Sequence, residues 1–597
     1  MQKKPATKKA VVKKPAVRPR KPIQTKSSLP PMSLSFEGTL ATKTGTWRYL
    51  TPAYLNKLAP CNEACPAGED VEAAMVLSGQ ADYLGAWEKI TQENPLPRVC
   101  GRVCFHPCEG ACNRKEYDEP TAINALERFV GDTAYQSGKR LPPPAEKKKE
   151  KVVVIGSGPA GLSCAYHLAS LGYGVTLFEA LPQLGGMLRY GIPAYRLPKA
   201  ILDQEIDQIL ALGVESRTNC RVGKDVNWEE LRKFDAIFVA AGAWRSLPLN
   251  VPGEDSAGVM SGVTFLRKVN SGEKVDLGKR VAILGGGNTA MDAARSALRL
   301  GAKPLVIYRR TKAEMPAWEE EVSEAEEERI EFIFLSSPVK VMTEHGRVKG
   351  IECIKNILGP PGKDGRREPR PIENSSFNLP VDSVISAIGE APDLSFLPPE
   401  MQKSKGALPV DETGATSQKK VFAGGDVVAQ PRTVSWAIGS GKKAAMAIDA
   451  TLRGKNVSEA IHLASWGGKG SLSMARYRSK GGDGIAQEVV KFSNLNTAYF
   501  PRQNRKPKDR LTVDQQTRDF SEINHGLSPV TALFEAKRCF NCGVCNLCDN
   551  CFLFCPDLAI FARPNRQGYE INYDYCKGCC ICVEECPRGA ISIEAKK

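Results

Sequence analysis

Twice in this chain a β-branched run ends in a glycine-rich turn and passes at once into a helical pattern. The first instance is Lys151-Val-Val-Val-Ile, then Gly156-Ser-Gly158-Pro-Ala-Gly161, then Leu162-Ser-Cys-Ala-Tyr-His-Leu-Ala. The second is Val281-Ala-Ile-Leu, then Gly285-Gly286-Gly287-Asn-Thr-Ala290, then Met291-Asp-Ala-Ala-Arg-Ser-Ala-Leu. In such a turn the first glycine permits the tight bend and the second lets the backbone approach a pyrophosphate. The third lets helix and strand pack closely, and the phosphates then face a positive helix end. Ala290 takes the third-glycine place in the second copy. Short strands alternating with helices around these turns predict an α/β chain with two Rossmann-like dinucleotide-binding units.

The residues after each turn separate the two units. The strand Gly174-Val-Thr-Leu-Phe ends in Glu179, 23 residues after Gly156, where a carboxylate takes a ribose hydroxyl. The same count from Gly285 reaches Tyr308, followed by Arg309 and Arg310 with no carboxylate. A carboxylate repels a 2′-phosphate, whereas guanidinium groups pair with one through charge-assisted bonds. The first unit is therefore expected to take FAD and the second NADP(H), with NAD(H) kept as the alternative if the arginines only form a solvated loop.

The 20 cysteines bunch in short-spaced runs, which favours metal ligation over a disulfide framework. Cys545-x2-Cys548-x2-Cys551-x3-Cys555-Pro and Cys576-x2-Cys579-x2-Cys582-x3-Cys586-Pro are two copies of the bacterial ferredoxin run. In that run three close thiolates hold one cubane and the fourth ligates the other. The expected sets are Cys545, Cys548, Cys551 and Cys586 on one [4Fe-4S] cluster, and Cys576, Cys579, Cys582 and Cys555 on its neighbour. Zinc ribbons do not carry paired runs each closed by Cys-Pro. Cys580 lies between ligands as a spectator, and Cys539 and Cys542 read equally as an auxiliary metal site or as buried thiols. Cys61-x3-Cys65-Pro and Cys100-x3-Cys104-x3-Cys108-x3-Cys112 form a further set near the N-terminus. Cys164, Cys220 and Cys353 read as core residues.

A formal charge of +15 suggests nucleic acid until it is located: residues 1–28 hold ten Lys or Arg and no acid. That stretch is too poor in apolar residues to fold and has no interleaved aromatics for base stacking, so nucleic acid is not an expected partner. No apolar run approaches the roughly 18 residues a membrane span needs and no hydrophobic segment follows the basic start, so a cytoplasmic protein without a transmembrane segment is expected. Composition shifts divide the chain into a disordered basic tail (1–34), a helical cysteine-bearing domain (35–138) and a Pro/Lys linker (139–150). Next come a first FAD-binding part (151–275), an NAD(P)H-binding domain (276–385), a second FAD-binding part (386–455) and a connecting segment (456–530). A two-cluster α+β ferredoxin-like domain (531–597) closes the chain.

Further motifs carry a family resemblance. Asp235-Ala-Ile-Phe-Val-Ala-Ala-Gly242 and Val384-Ile-Ser-Ala-Ile-Gly389 look like the strands that join two nucleotide domains. Val421-Phe-Ala-Gly424-Gly425-Asp426 resembles the segment whose aspartate contacts the FAD ribityl chain. With Gly185-Gly-Met-Leu-Arg-Tyr-Gly-Ile-Pro-Ala-Tyr-Arg-Leu-Pro and Tyr308-Arg-Arg-Thr-Lys-Ala-Glu-Met-Pro-Ala, residues 35–455 resemble the glutamate synthase small-subunit family. That family includes the N-terminal half of dihydropyrimidine dehydrogenase and the flavin subunits of ferredoxin:NADP oxidoreductases. The resemblance implies FAD contacts at Gly186, Gly425 and Asp426. It also implies an N-terminal cluster on Cys65, Cys104, Cys108 and the non-cysteine ligand Glu127, with Cys100 the rival to Glu127. Relatives with two N-terminal clusters carry another C-x2-C just upstream of the position of Cys61. This chain lacks it, so one N-terminal cluster is expected, with Cys61 and Cys112 as remnants.

The extension from 456 resembles that of DsrL-type proteins and of the NADP-linking subunits of 2-oxoacid:ferredoxin oxidoreductases. A nicotinamide gives up two electrons together and a cubane takes one, so a flavin between them accounts for all three groups in one chain. The implied function is an NAD(P)H:ferredoxin-type oxidoreductase working as the electron-transfer subunit of a larger hetero-oligomeric iron–sulfur complex. A glutamate synthase small subunit and a non-catalytic iron–sulfur assembly or relay module are the alternatives. Hydride transfer to a flavin demands no acid–base catalyst, and only five histidines are present.

Overall fold

The computed structural model describes residues 43–362, 365–401, 406–482, 484–564 and 567–595. The basic tail expected at 1–34 lies outside them.

Five parallel strands make the first sheet, in the spatial order Val421–Ala423, Ala236–Val239, Lys151–Ile155, Gly174–Phe178, Glu215–Arg217. Val152, Val153, Val154, Leu177 and Phe238 are fully buried, because helices cover both faces of a parallel sheet. The helix Pro159–Ser170 leaves the first glycine turn and packs along the long helix Val434–Leu452. Their backbones come so close that a Cβ on Gly441 would lie 2.1 Å from the Ala160 carbonyl oxygen. Ser163 Oγ donates across the same contact to the Ile438 carbonyl at 2.8 Å.

The second sheet is also parallel, ordered Glu331–Ile333, Lys303–Ile307, Arg280–Leu284, Ser383–Ser386, Val259–Ser261. Val259–Ser261 hydrogen-bonds in this sheet, so the second nucleotide unit takes in residues before the boundary expected at 276. Between Glu331–Ile333 and Ser383–Ser386 an antiparallel sheet is inserted, led by the hairpin Ser336–Glu344/Arg347–Pro361. His345 and Gly346, both left-handed, turn that hairpin as its right-handed twist requires. Arg245–Ser246 pairs with Glu390–Ala391 where the chain crosses between the two units.

The N-terminal helices Val71–Gly79 and Tyr83–Thr91 are N-capped by Asp70 and Asp82, whose carboxylates accept from the Ala73 and Gly85 N–H groups. Pro97–Val103 and Ile123–Gln136 complete the helical domain. A buried ion pair ties it to the flavoprotein body. Lys442 Nζ, fully buried, donates to Glu93 Oε2 and to the Ala67 carbonyl, both at 2.5 Å. Glu93 is further held by Ser473 Oγ and the Met474 and Ala475 amides.

The two ends of the described chain meet. Leu50–Tyr54 pairs antiparallel with Ile591–Ala595, giving the small C-terminal domain a strand from the other end of the sequence. Lys57–Leu58 pairs with Ala486–Val489. The helix Pro529–Arg538, which the boundary drawn at 531 would divide, packs against Val71–Gly79 of the N-terminal domain.

Candidate functional site

One cavity of about 1080 Å³ runs between the two nucleotide units. That is just above the ~300–1,000 Å³ range of small-molecule sites. Its walls include Gly156, Ser157, Gly158 and Glu179 from the first unit, Gly287, Asn288 and Thr289 from the second, and Gly186, Gly425 and Asp426 between them. Gly156 has φ +100°, and a Cβ there would lie 2.4 Å from the Ala240 carbonyl oxygen, so the turn admits no side chain. At Gly158 a Cβ would meet nothing within 4 Å, so this glycine opens a cradle at the N-terminus of Pro159–Ser170. Gly161 lies under the Gly156 carbonyl, where a Cβ would come within 1.9 Å. A dinucleotide pyrophosphate fits this arrangement of free space, amide donors and helix end.

Glu179 is buried, and its carboxylate accepts from the Ser157 and Leu181 amides at 3.0 and 2.9 Å and from Ser157 Oγ. Asp426 lines the cavity, and burial raises its carboxyl to about 6, with Arg432 opposing the shift. In the second unit Gly285 is left-handed, with a Cβ position 2.3 Å from the Ala387 carbonyl oxygen. Ala290 is fully buried under the turn.

The two arginines after Tyr308 part company. Arg309 is exposed, while Arg310 is buried and its Nε donates to the Arg367 carbonyl at 2.6 Å. Neither belongs to the cavity wall, where Arg196, Arg221, Arg267, Arg366 and Arg432 stand instead. Arg366 comes from the connection just before the strand Arg367–Pro371 of the inserted antiparallel sheet, which no nucleotide motif announces.

Val103 and Phe105, the neighbours of Cys104, also line the cavity. The cavity therefore reaches the chain on both sides of Cys104. Cys65, Cys104, Cys108, Cys100 and Glu127 converge on one buried spot. Burial pushes the Cys65, Cys100, Cys104 and Cys108 thiols up, and Glu127 acts electrostatically on Cys65, Cys100 and Cys104. Burial raises the Glu127 carboxyl well above its usual range, with Glu69 beside it adding to the shift. Asn94 Nδ2 bridges the two carboxylates, donating to Glu69 at 2.7 Å and Glu127 at 3.2 Å. Sequence reasoning did not single out Asn94 or Glu69. The backbone N–H of His106 donates to Cys104 Sγ at 3.3 Å, while Cys100 lies within the helix Pro97–Val103.

In the C-terminal domain Cys545, Cys548, Cys551 and Cys586 line one small cavity together with Tyr54 and Arg588. Tyr54 Oη donates to Cys551 Sγ at 3.1 Å. Cys576 feels Cys555 and Cys579 electrostatically, and Cys582 feels Cys576 and Cys579. Cys582 also feels Cys551 of the first group, so the two groups adjoin. Among the described residues no group of three or more His, Cys, Asp or Glu is arranged to hold a metal ion.

Family comparisons assign the three parts. Residues 150–441 match the pyridine nucleotide-disulphide oxidoreductase family. Residues 55–139 match the 4Fe-4S cluster domain II of dihydropyrimidine dehydrogenase, and 569–592 match the 4Fe-4S binding domain. The NADP(+)-dependent formate dehydrogenase subunit beta of Moorella thermoacetica is 41% identical over 515 residues, covering 81% of this chain and 70% of the relative. The NADPH-Fe(3+) oxidoreductase subunit beta of Geobacter sulfurreducens is 36% identical over 519 residues, covering 81% of this chain and 75% of the relative. The glutamate synthase [NADPH] small chain of Escherichia coli is 34% identical over 415 residues, covering 64% of this chain and 87% of the relative. Among the described residues no helix is long and apolar enough to cross a membrane. The chain belongs to the glutamate synthase small-subunit-like family of NAD(P)H-dependent, FAD-containing iron–sulfur oxidoreductases.

Proposed function

We propose that this protein is the NADP(H)-linked electron-transfer subunit of a larger redox complex, exchanging electrons between the nicotinamide and a one-electron partner, ferredoxin or an iron–sulfur enzyme. The observation that carries the reading is the single cavity walled by both glycine turns and by the residues flanking Cys104. FAD, when bound, accepts a hydride and releases electrons singly, which is the chemistry a nicotinamide and a cubane cannot share directly.

The chain's own residues divide the work of holding these groups. Gly156, Gly158, Gly161 and the helix end behind them take the FAD pyrophosphate, Glu179 the ribose, and Gly186, Gly425 and Asp426 the remainder of FAD. Gly285, Gly287 and Ala290 receive the second dinucleotide. Arg309, exposed and uncommitted to the core, is the better placed of the two arginines for a 2′-phosphate. Cys65, Cys104, Cys108 and Glu127 hold the N-terminal cluster. Glu127 is preferred to Cys100 on the family resemblance, Asn94 standing beside both. The C-terminal cysteines hold two clusters, one on the four thiols that share a cavity and one on Cys576, Cys579, Cys582 and Cys555.

A partner surface is supported by apolar side chains around Cys555, where Leu553 and Leu558 are 69% and 83% exposed and Phe552 and Phe554 are also open. Contiguous exposed apolar residues beside a redox centre suit docking of another protein. The names of the Moorella and Geobacter relatives, both beta subunits linked to NADP or NADPH, support the same assignment. The test is anaerobic stopped-flow with NADPH and separately NADH, following flavin bleaching and reduction of ferredoxin or benzyl viologen. Fast bleaching by NADPH with reduction of the one-electron acceptor is expected. Failure of both nucleotides to reduce the flavin in a flavin-replete sample would refute the proposal.

A further inference from the structure

Four cysteines outside these three ligand sets come together from the two ends of the sequence. Cys61 stands in the short helix Pro60–Ala64, Cys112 caps Pro107–Ala111, and these helices pack against each other. Cys539 caps the helix Pro529–Arg538, and Cys542 follows it. Cys61 packs both with the cluster of apolar residues that includes Cys539 and with the one built on Ala59, Val490, Phe540 and Cys542. Burial pushes the Cys61 thiol far up, and Cys539, Cys112 and Cys542 each add to that. Asn113, next to Cys112, donates from Nδ2 to Cys542 Sγ at 3.5 Å. The segment is clamped in place: Lys57 N donates to the Gly543 carbonyl at 2.9 Å and Gly543 N to the Arg588 carbonyl at 2.7 Å.

The backbone of this segment repeats that of the ferredoxin runs. In Cys539-Phe-Asn541-Cys542-Gly543 the third and fifth residues are left-handed, φ 49° and 88°. The same two places are left-handed in Cys545-Asn-Leu547-Cys548-Asp549, φ 62° and 67°, and in Cys576-Lys-Gly578-Cys579-Cys580, φ 72° and 61°. In each loop the third residue's N–H points at the first cysteine's sulfur, at 3.4 Å from Asn541 to Cys539 and likewise from Leu547 to Cys545 and Gly578 to Cys576. Left-handed leucine and cysteine cost about 1–2 kcal/mol, and the Cys539 loop reaches the same backbone with asparagine and glycine, the residues that adopt it most readily, so the three loops share one conformation. N–H groups aimed at ligating sulfurs tune cubanes. The loop at Cys576 lies inside the matched 4Fe-4S domain.

We infer that Cys61, Cys112, Cys539 and Cys542 hold a further [4Fe-4S] cluster, assembled from both ends of the chain. The C-x2-C pair missing upstream of Cys61 is supplied by the C-terminal extension, so Cys61 and Cys112 are ligands and not remnants. The site adjoins its neighbours on both sides. Cys108 of the N-terminal set feels the Cys61 thiol, and Arg588, which donates to the Phe540 carbonyl, also lines the cavity of Cys545 and Cys586. The relay role of the cluster rests on the proposed function; its existence does not.

The test is the iron, acid-labile sulfide and zinc content of the anaerobically purified full-length protein, with Cys539→Ser, Cys112→Ser and the double variant. At about four irons per cubane, the wild type is expected to hold about 16 iron and 16 sulfide per chain. Each single variant is expected to lose about four of each, and the double variant no more than either alone, because both residues serve one cluster. Iron unchanged in the variants, or one zinc per chain lost in place of iron, overturns the inference. If a variant unfolds and loses every cluster, the wild-type total decides, since about 12 irons with the other three clusters present spectroscopically overturns it. A shortfall at another site lowers the total but leaves the four-iron step in the variants, so failure of the wider reading is separable.

Discussion

Gly158→Ala separates the conformational use of glycine from its use against a ligand. Gly158 has φ −68° and ψ 180°, extended backbone open to any residue, and its Cβ would meet nothing within 4 Å. An alanine at a compatible glycine position removes unfolded-state entropy and stabilises by about 0.4–1 kcal/mol. For a unit of this size that raises the melting temperature of the apoprotein by roughly 1–4 °C. The same methyl projects into the cavity where a pyrophosphate would approach the turn. Losing one hydrogen bond to an ionised group costs about 1.5–3 kcal/mol, or roughly 10- to 150-fold in affinity. Apoprotein prepared by flavin extraction, melted alone and titrated with FAD by fluorescence quenching, reads both quantities. Gly156→Ala is the contrast, because φ +100° and the 2.4 Å approach to Ala240 predict a destabilised chain. A Gly158→Ala apoprotein that melts lower while binding FAD with unchanged affinity would falsify the placement of the pyrophosphate.

Other substitutions probe separate parts of the molecule. Arg309→Ala is expected to raise KM for NADPH about 10- to 100-fold while changing KM for NADH little, since one charge-assisted pair is lost. Arg310, bonded to the Arg367 carbonyl, should instead lower stability without altering the NADPH:NADH ratio, and steady-state kinetics on both variants decide. Asp426→Asn should stabilise the apoprotein at neutral pH by at most about 2–3 kcal/mol, because burial raises the folded-state carboxyl from 3.8 to about 6. The folded state then disfavours the ionised form, so the gap is absent below pH 3.8, opens as pH rises to about 6 and is flat above, as apoprotein melts across pH would trace. Lys442→Met leaves Glu93 buried without its cation and should cost about 3–5 kcal/mol, with Glu93→Gln in the same chain recovering much of the loss in denaturant titrations.

How far the residues alone reveal this molecule depends on whether the signal is contiguous. The glycine turns and the ferredoxin runs are local: strand, turn and helix adjoin in sequence, and each thiol run carries its spacing with it. Val259–Ser261 is three residues with no alternation, and only its pairing with Ser383–Ser386 reveals which sheet it joins. Adjacent arginines are indistinguishable in sequence until the alternation past Lys303–Ile307 turns Tyr308 and Arg310 inward and Arg309 out. Asn94 and Glu69 carry no motif, and their place beside Glu127 arises from helix packing. Cys539 and Cys542 had a legible spacing but no legible partner, because the partner lies more than 400 residues away in sequence.

That long-range closure has a consequence for how electrons could cross the molecule. A ferredoxin domain joined by one flexible linker would sample many separations from the flavin cavity, and its electron exchange would depend on encounter. Here Leu50–Tyr54 is a strand of the C-terminal domain and, a few residues later, Cys61 and Cys65 belong to the N-terminal cysteine sets. Tyr54 caps the cavity of Cys545 and Cys586 from that same strand, and Arg48 donates to the Tyr573 and Cys576 carbonyls. The C-terminal domain is thus fixed by backbone pairing to the segment that leads into the other thiols. Fixed separation would give exchange between the two sets one donor–acceptor distance in place of a distribution of them. Substituting proline at Ala53, which sits in the paired strand opposite Ser592, should loosen that domain. If the docking matters, C-terminal cluster reduction by NADPH slows in that variant while flavin reduction keeps its wild-type rate.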